Sequence, residues 1–198
     1  MIYKLIADRI ITNVSSNFKL DMEYRDIYAY SLERYLSNIF NIIIFSIVAI
    51  VLRVPGEAIV FALFYGPLRK YAGGIHLKTR GGCLIISLLI MTSIIWLSKG
   101  LALLTNWKLI TFILLLTACF LIYMRAPASS PGRRLSTETR EWHRKRSLWI
   151  AGIEGSILLV GILFLNAFGS FVILGVLALL LEGIFLLPNN RIHDNGFE

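Results

Sequence analysis

Residues 83–98 read CLIISLLIMTSIIWLS, a run that contains no charged side chain. A helix needs about 20 mostly apolar residues to cross the hydrocarbon core of a bilayer, so this run predicts a transmembrane helix. The rest of the chain has the same character, since 57% of its 198 residues are hydrophobic and only 16% are charged. Soluble domains average about 25% charged residues. The sequence therefore predicts an all-α, polytopic integral membrane protein.

Five further apolar runs lie on either side of this one and complete a single membrane domain over residues 1–198. The six predicted spans are residues 36–53, 57–68, 83–98, 109–124, 148–166 and 170–187. The second run is short, at about a dozen residues against the usual ~20. It ends at Gly66-Pro67. We expect it to tilt, to extend past Arg69, or to form a broken helix that lines protein or a cavity.

The N-terminal region, residues 1–35, is more polar than the predicted spans. Several acidic residues interrupt it, and it lacks the continuous apolar core of a secretory signal peptide. Apolar residues recur at helical spacing in residues 2–14 and again in residues 22–35. This pattern predicts amphipathic helices, which either lie on the membrane surface or pack against the rest of the protein.

Two basic segments predict how the spans are oriented. Residues 67–82 contain four basic residues and no acid, and residues 125–147 contain seven basic residues and two acids. The loops on the other side of the predicted spans are nearly uncharged. By the positive-inside rule, both basic segments and both termini are cytoplasmic. The net charge of +8 is then explained by topology, and nucleic acid is not an expected partner.

The first basic segment contains a candidate catalytic pair. Residues 71–83 read YAGGIHLKTRGGC and include His76 and Cys83. An imidazole and a thiol can act together as base and nucleophile. On one straight helix, seven residues would separate them by about 10 Å along the axis, so the backbone between them must fold back. The glycine pairs Gly73-Gly74 and Gly81-Gly82 permit this.

The surroundings of Cys83 favour its ionised form. It is expected in the first turn of the third span, where the helix dipole and the charges of Lys78 and Arg80 stabilise a thiolate. His76 could accept the thiol proton and return it to a leaving amine. Ser87, one turn further on, either adds a hydrogen-bond donor or is a small polar residue at a helix contact. From these residue types alone, a loop histidine and an inert cysteine remain the alternative.

Two motifs resemble the accessory gene regulator B (AgrB) family. They are RKYAGGIHLKTRGGC at residues 69–83 and YMRAPASSPGRR at residues 123–134. The resemblance extends over the whole chain in length, order of apolar runs and placing of both motifs. Members of that family are membrane cysteine endopeptidases of Gram-positive bacteria. They cleave the C-terminal part from a small precursor peptide, AgrD, and help to convert the remainder into a cyclic thiolactone or lactone signal.

The resemblance implies a role for individual residues of this chain. Cys83 would be the nucleophile and His76 the general base, while Arg69, Gly74 and Lys78 match the motif around them. It also implies an AgrD-like precursor as partner, a place in a bacterial cell membrane, and a function in quorum sensing without a cofactor. The sequence has no HExxH, no CxxC and no clustered carboxylates, so no metal site is expected.

Other charged residues have two interpretations each. Glu154 and Glu182 lie inside predicted spans, where a carboxylate is costly. In the functional interpretation, one of them orients His76 or meets a basic residue of the precursor. In the structural interpretation, the carboxylate lies close to a membrane interface or pairs with an arginine for assembly. Arg133 and Arg134 could dock an acidic tail of the precursor or serve only to orient the spans.

Two other functions compete with the peptidase hypothesis. A small transporter would use the two intramembrane glutamates as coupling carboxylates, and would not depend on Cys83. A non-enzymatic scaffold would bind a partner through the basic loops, and would tolerate loss of both His76 and Cys83. A homodimer is consistent with a small helical membrane enzyme, but no helix face in the sequence indicates one. Cys119 lies in an apolar run, so a disulfide with Cys83 is not expected.

Overall fold

A computed structural model of the protein describes residues 9, 22–73, 80–128 and 137–187. Throughout these ranges the regular elements are helices, which confirms the predicted all-α class. They are α1 (Met22–Val51), α2 (Pro55–Ala72), α3 (Arg80–Ala102), α4 (Trp107–Arg125), α5 (Thr137–Phe164), a short 3-10 helix (Asn166–Phe168) and α6 (Gly169–Phe185).

Five helical segments are long and apolar enough to cross a membrane. They are Ile27–Val51, Gly81–Ala102, Trp107–Arg125, Glu138–Phe164 and Asn166–Phe185. They coincide with the first, third, fourth, fifth and sixth predicted spans, and they make the chain a multi-pass membrane protein. Helix α2 corresponds to the short second run. It is continuous through Pro67 and extends past Arg69, as one of the three sequence-based alternatives has it.

Two helices begin earlier than the apolar runs indicate. Helix α1 starts at Met22, so the amphipathic stretch at residues 22–35 continues into the first span without a break. Helix α5 starts at Thr137, so the later part of the basic segment at residues 125–147 is helical and not a loop. Residues 137–147 read TETREWHRKRS, which contains no glycine or proline and several good helix formers. Hydropathy detects only the apolar part of such a helix.

The chain divides into two compact units, Met1–Val54 and Pro55–Glu198. In the first unit, α1 ends in a turn in which the Val54 N–H donates to the Ala49 carbonyl at 2.8 Å. Arg53 occupies this turn with a φ of 59°. The candidate site and the main hydrophobic core lie in the second unit.

Helix α6 is the central helix of the second unit. It packs against α2, α3, α4 and α5. Most of its residues are buried, as expected for a helix that is apolar on every side. Small residues let its neighbours approach closely. A Cβ atom on Gly175 would lie 2.6 Å from Leu158 Cδ2 and 3.2 Å from the Phe64 ring.

An ion pair joins the start of α2 to the end of α3. Lys99 Nζ lies 2.7 Å from Glu57 Oε1, and the same ammonium lies 5.3 Å from the centre of the Trp96 ring. Because Glu57 is in the first turn of α2, this contact is at the opposite end of that helix from Arg69 and the His–Cys segment.

Candidate active site at the end of α2

Cys83 is the fourth residue of α3. Its side chain is half-buried and its thiol is free. The first four N–H groups of an α-helix have no acceptor within the helix, and they carry the positive end of the helix dipole. The thiol is therefore next to a group of backbone donors that can stabilise negative charge on sulfur or on a nearby carbonyl oxygen.

Arg69 connects the last turn of α2 to the residue that ends the helix. Its Nη1 atom donates a hydrogen bond of 2.9 Å to the Gly73 carbonyl. Gly73 has a φ of +83°, the left-handed conformation in which glycine commonly ends a helix. The chain then leaves α2 toward Gly74 and His76.

The carboxylate of Glu182 in α6 faces Arg69 from the protein interior. Glu182 is fully buried, and its Oε2 lies 3.5 Å from Arg69 Nη1. This distance is longer than the 2.7–2.9 Å of a strong charge-assisted hydrogen bond. The Phe185 ring, also in α6, lies 5.6 Å from Arg69 Cζ. Two residues of α6 thus hold the guanidinium at the end of α2.

Tyr65 is a residue near this site that the sequence analysis did not identify. It interacts electrostatically with Arg69, Glu182 and Cys83, and its ring stacks on Phe61 with centroids 5.1 Å apart. Helices α2, α3 and α6 therefore place a phenol, a guanidinium, a thiol and a carboxylate in one region. The sequence contains one indication of this role for Tyr65: it is four residues before Arg69, which places the two on the same face of a helix.

The two sequence motifs meet at the end of α2. The Ala128 N–H, from the second motif, donates a hydrogen bond of 2.8 Å to the Ala72 carbonyl in the first. Ala126, Pro127 and Ala128 are buried. The second motif therefore packs directly against the residues from which the His–Cys segment departs.

Aromatic and basic side chains surround this junction. The Tyr71 ring lies 5.8 Å from Trp142 and 6.0 Å from His143, and Arg146 Cζ lies 4.4 Å above the Trp142 ring. These contacts join the end of α2 to the polar first part of α5. Nearby, a cavity of about 190 Å³ is lined by Met124, Arg125, Ala126, Pro127, Arg140, Glu141 and Arg144.

The remaining predicted site residues are distributed as follows. Gly74, His76, Lys78, Arg133 and Arg134 lie outside the described residues. Ser87 is half-buried in α3, four residues after Cys83.

Glu154 lies in α5 and is 7% exposed. Its Oε2 atom accepts no hydrogen bond from the described part of the chain. The structure thus brings Arg69 and Glu182 together in the region of Cys83, whereas Glu154 has no ion-pair partner within residues 22–73, 80–128 and 137–187. Among the described residues, no three His, Cys, Asp or Glu side chains are grouped so as to hold a metal ion.

These features define a multi-pass helical membrane protein with a free thiol at the start of one helix, and with an Arg–Glu pair at the end of the preceding helix in which the glutamate is buried. The family model of accessory gene regulator B matches residues 7–186, and the chain belongs to this AgrB family. The family is known for membrane endopeptidases that process peptides.

Two curated relatives are similar to most of the chain. An AgrB-like protein of Clostridium perfringens strain SM101 is 26% identical over 187 residues, which cover 91% of this chain and 85% of the relative. AgrB-like protein 2 of Clostridium perfringens strain 13 is 28% identical over 149 residues, covering 73% and 68% respectively. No solved structure has significant similarity to the chain.

Proposed function

We propose that the protein is a membrane cysteine endopeptidase that cleaves the C-terminal part of an AgrD-like precursor and promotes cyclisation of the remainder. The observation that carries this proposal is the family match over residues 7–186, which includes both His76 and Cys83. The half-buried position of Cys83 at the start of α3 supports it, because backbone donors are available there for a thiolate and an oxyanion.

Cleavage would begin with proton transfer from the Cys83 thiol to His76. The thiolate attacks the carbonyl carbon of the scissile bond, and the N–H groups at the start of α3 stabilise the oxyanion. The C–N bond then breaks as the leaving amine takes the proton from His76. The C-terminal fragment leaves, and the rest of the precursor remains bound to Cys83 Sγ as a thioester.

Ring closure would release this thioester. An internal cysteine or serine of the precursor gives its proton to His76 and attacks the thioester carbonyl. The bond to Cys83 Sγ breaks, and the sulfur recovers a proton. Exchange of the Cys83 thioester for a thiolactone is close to balanced in energy, because both are thioesters, so the acyl activation of the intermediate is retained in the ring. A site that excludes water favours this exchange over hydrolysis.

Other residues would support these steps. Arg69, Gly74 and Lys78 belong to the motif around the pair, and Ser87 is one turn from Cys83, where it could add a donor. Arg133 and Arg134 could attract an acidic precursor tail to the membrane surface. The protein would act in a bacterial cell membrane with both termini in the cytoplasm.

The second candidate is a small transporter, and one observation favours it. Glu154 is buried within a candidate span, and its Oε2 accepts no hydrogen bond from described residues. Intramembrane carboxylates of this kind often act in proton-coupled transport. A transporter would depend on the proton gradient and would not require Cys83. A scaffold, the third candidate, would require neither Cys83 nor His76.

A cleavage assay in liposomes with the cognate precursor tests the proposal. We expect wild type to release the C-terminal fragment and to accumulate a covalent thioester detectable by mass spectrometry. Cys83→Ala and His76→Ala should abolish release. Cys119→Ala is the matched control, because this second cysteine lies mid-helix in α4, and it should cleave at the wild-type rate. Cleavage by Cys83→Ala at the wild-type rate would refute the peptidase.

A further inference from the structure

The buried carboxylate of Glu182 is beside the candidate site but has no part in the steps above. It is in α6 and is fully buried. A charged group in such surroundings is very unfavourable unless a partner compensates it. Arg69 is the cation that faces it, at 3.5 Å.

Arg69 connects Glu182 to the backbone at the end of α2. The same Nη1 atom that faces Glu182 Oε2 donates to the Gly73 carbonyl at 2.9 Å. Gly73 is the last described residue before the segment that contains His76. A guanidinium that is held by α6 therefore also restrains the Gly73 carbonyl at the end of α2.

We infer that Glu182 is a positioning residue of the peptidase: through Arg69 it holds the Gly73 carbonyl at the end of α2, three residues before His76 in the sequence. This inference rests on the proposed function. Phe185, one turn further along α6, also helps to hold the guanidinium, because its ring lies 5.6 Å from Arg69 Cζ. Both contacts come from the central helix, most of whose residues are buried.

The main test compares Glu182→Gln with Glu182→Asp in the liposome assay. Glutamine keeps the size of the side chain and loses its charge, whereas aspartate keeps the charge and is one methylene shorter. Misplacement of a catalytic group by about 1 Å can cost up to ~10²-fold in rate. We expect Glu182→Gln to lower kcat by at least about tenfold with KM nearly unchanged, and Glu182→Asp to retain more activity.

The relative activity of these two variants shows whether Glu182 positions Arg69 by its charge or only fills space. If Glu182 only fills space, glutamine should serve better than aspartate. Glu57→Gln is the matched control, since it breaks the other ion pair of α2, with Lys99, at the far end of the helix. We expect it to leave kcat unchanged. A kcat of Glu182→Gln within twofold of wild type, or a loss equal to that of Glu57→Gln, would overturn the inference.

Phe185→Leu provides a test that leaves the buried ion pair intact, in case Glu182→Gln does not accumulate in membranes. Loss of the ring contact with Arg69 should lower kcat by about threefold, the effect of a weak cation–π contact. If this variant is folded and its kcat is unchanged, the result would count against the inference.

A second readout does not need the precursor. In a Cys119→Ala background only Cys83 reacts with iodoacetamide, and its rate at neutral pH reports the thiolate that His76 helps to form. We expect Glu182→Gln to slow this alkylation severalfold and Glu57→Gln to leave it unchanged. If Cys83→Ala still cleaves, the proposed function fails, and the inference fails with it. If Cys83→Ala is inactive but both readouts of Glu182→Gln match wild type, only the inference fails.

Discussion

Gly73 is the residue whose backbone conformation is most restricted by its surroundings. Its φ of +83° is unfavourable for any side chain, and a Cβ atom there would lie 2.7 Å from the Ala128 carbonyl oxygen. That oxygen belongs to the backbone of the second motif and cannot move aside without displacing it. The position therefore requires glycine for two independent reasons, conformation and space.

We predict that Gly73→Ala is damaging although the substitution adds a single methyl group. It should lower the free energy of unfolding by about 1–3 kcal/mol, the usual range for backbone strain. It should also slow cleavage, since Gly73 accepts the hydrogen bond from Arg69. Gly100→Ala is the control, because no atom lies within 4 Å of its Cβ position in α3. The free energy of unfolding of both variants is measured in detergent, with tryptophan fluorescence as the signal. Equal stability of the two variants would contradict the prediction.

At the scale of helices, α6 determines how closely its neighbours pack. It contains Gly169, Gly175 and Gly183, and at each of them a side-chain atom of a neighbouring helix lies within 3.3 Å of the Cβ position. The contact atoms belong to Trp107 and Leu121 of α4 and to Leu158 of α5. Close approach increases dispersion contacts, which are the main attraction between helices in a bilayer. The packing of α6 thus depends on the absence of side chains at these positions.

We predict that Gly175→Val destabilises the second unit. Its side chain would overlap Leu158 and Phe64 and push α5 and α2 away from α6, at a cost of about 1–3 kcal/mol. Gly152→Val introduces the same side chain on the exposed face of α5, where the Cβ position has no neighbour within 4 Å. It should change stability by no more than about 0.5 kcal/mol. A denaturation curve in which both variants coincide would show that the close approach at Gly175 is not important.

The elements differ in how well the sequence predicts them. Apolar runs identify five spans because charge-free stretches of sufficient length have few alternatives in a membrane protein. The start of α5 could not be placed this way, since residues 137–147 are polar and helical. Likewise, Cys83 and Arg69 stand out by residue type and motif. Their relation to Tyr65 and Glu182 depends on how α2, α3 and α6 pack, which no local pattern encodes.

At the scale of the whole molecule, the number of crossings depends on α2. Five spans place the two termini on opposite sides of the membrane, whereas six place them on the same side. Helix α2 has 18 residues, or about 27 Å at 1.5 Å per residue, close to the ~30 Å of a hydrocarbon core. Its charged residues, Glu57, Arg69 and Lys70, lie in its first and last turns, from which long side chains can reach the interfaces.

The contacts of α2 with α3 favour a full crossing. Glu57, at the start of α2, pairs with Lys99 near the end of α3. Tyr65, toward the end of α2, interacts electrostatically with Cys83 at the start of α3. The two helices therefore run in opposite directions. Because α3 is itself long and apolar enough to span the membrane, we expect α2 to cross it in the opposite direction.

We therefore predict six crossings with both termini on the cytoplasmic side. Epitope tags at the two ends should be digested by protease in inverted membrane vesicles and protected in right-side-out vesicles. The turn between α3 and α4 should behave in the opposite way. In a Cys83→Ala, Cys119→Ala background, Leu103→Cys tests this, since Leu103 is exposed in that turn and should react with an impermeant maleimide only from outside. Digestion of one tag in each type of vesicle would mean five crossings, with α2 confined to one side together with the residues that we assign to the active site.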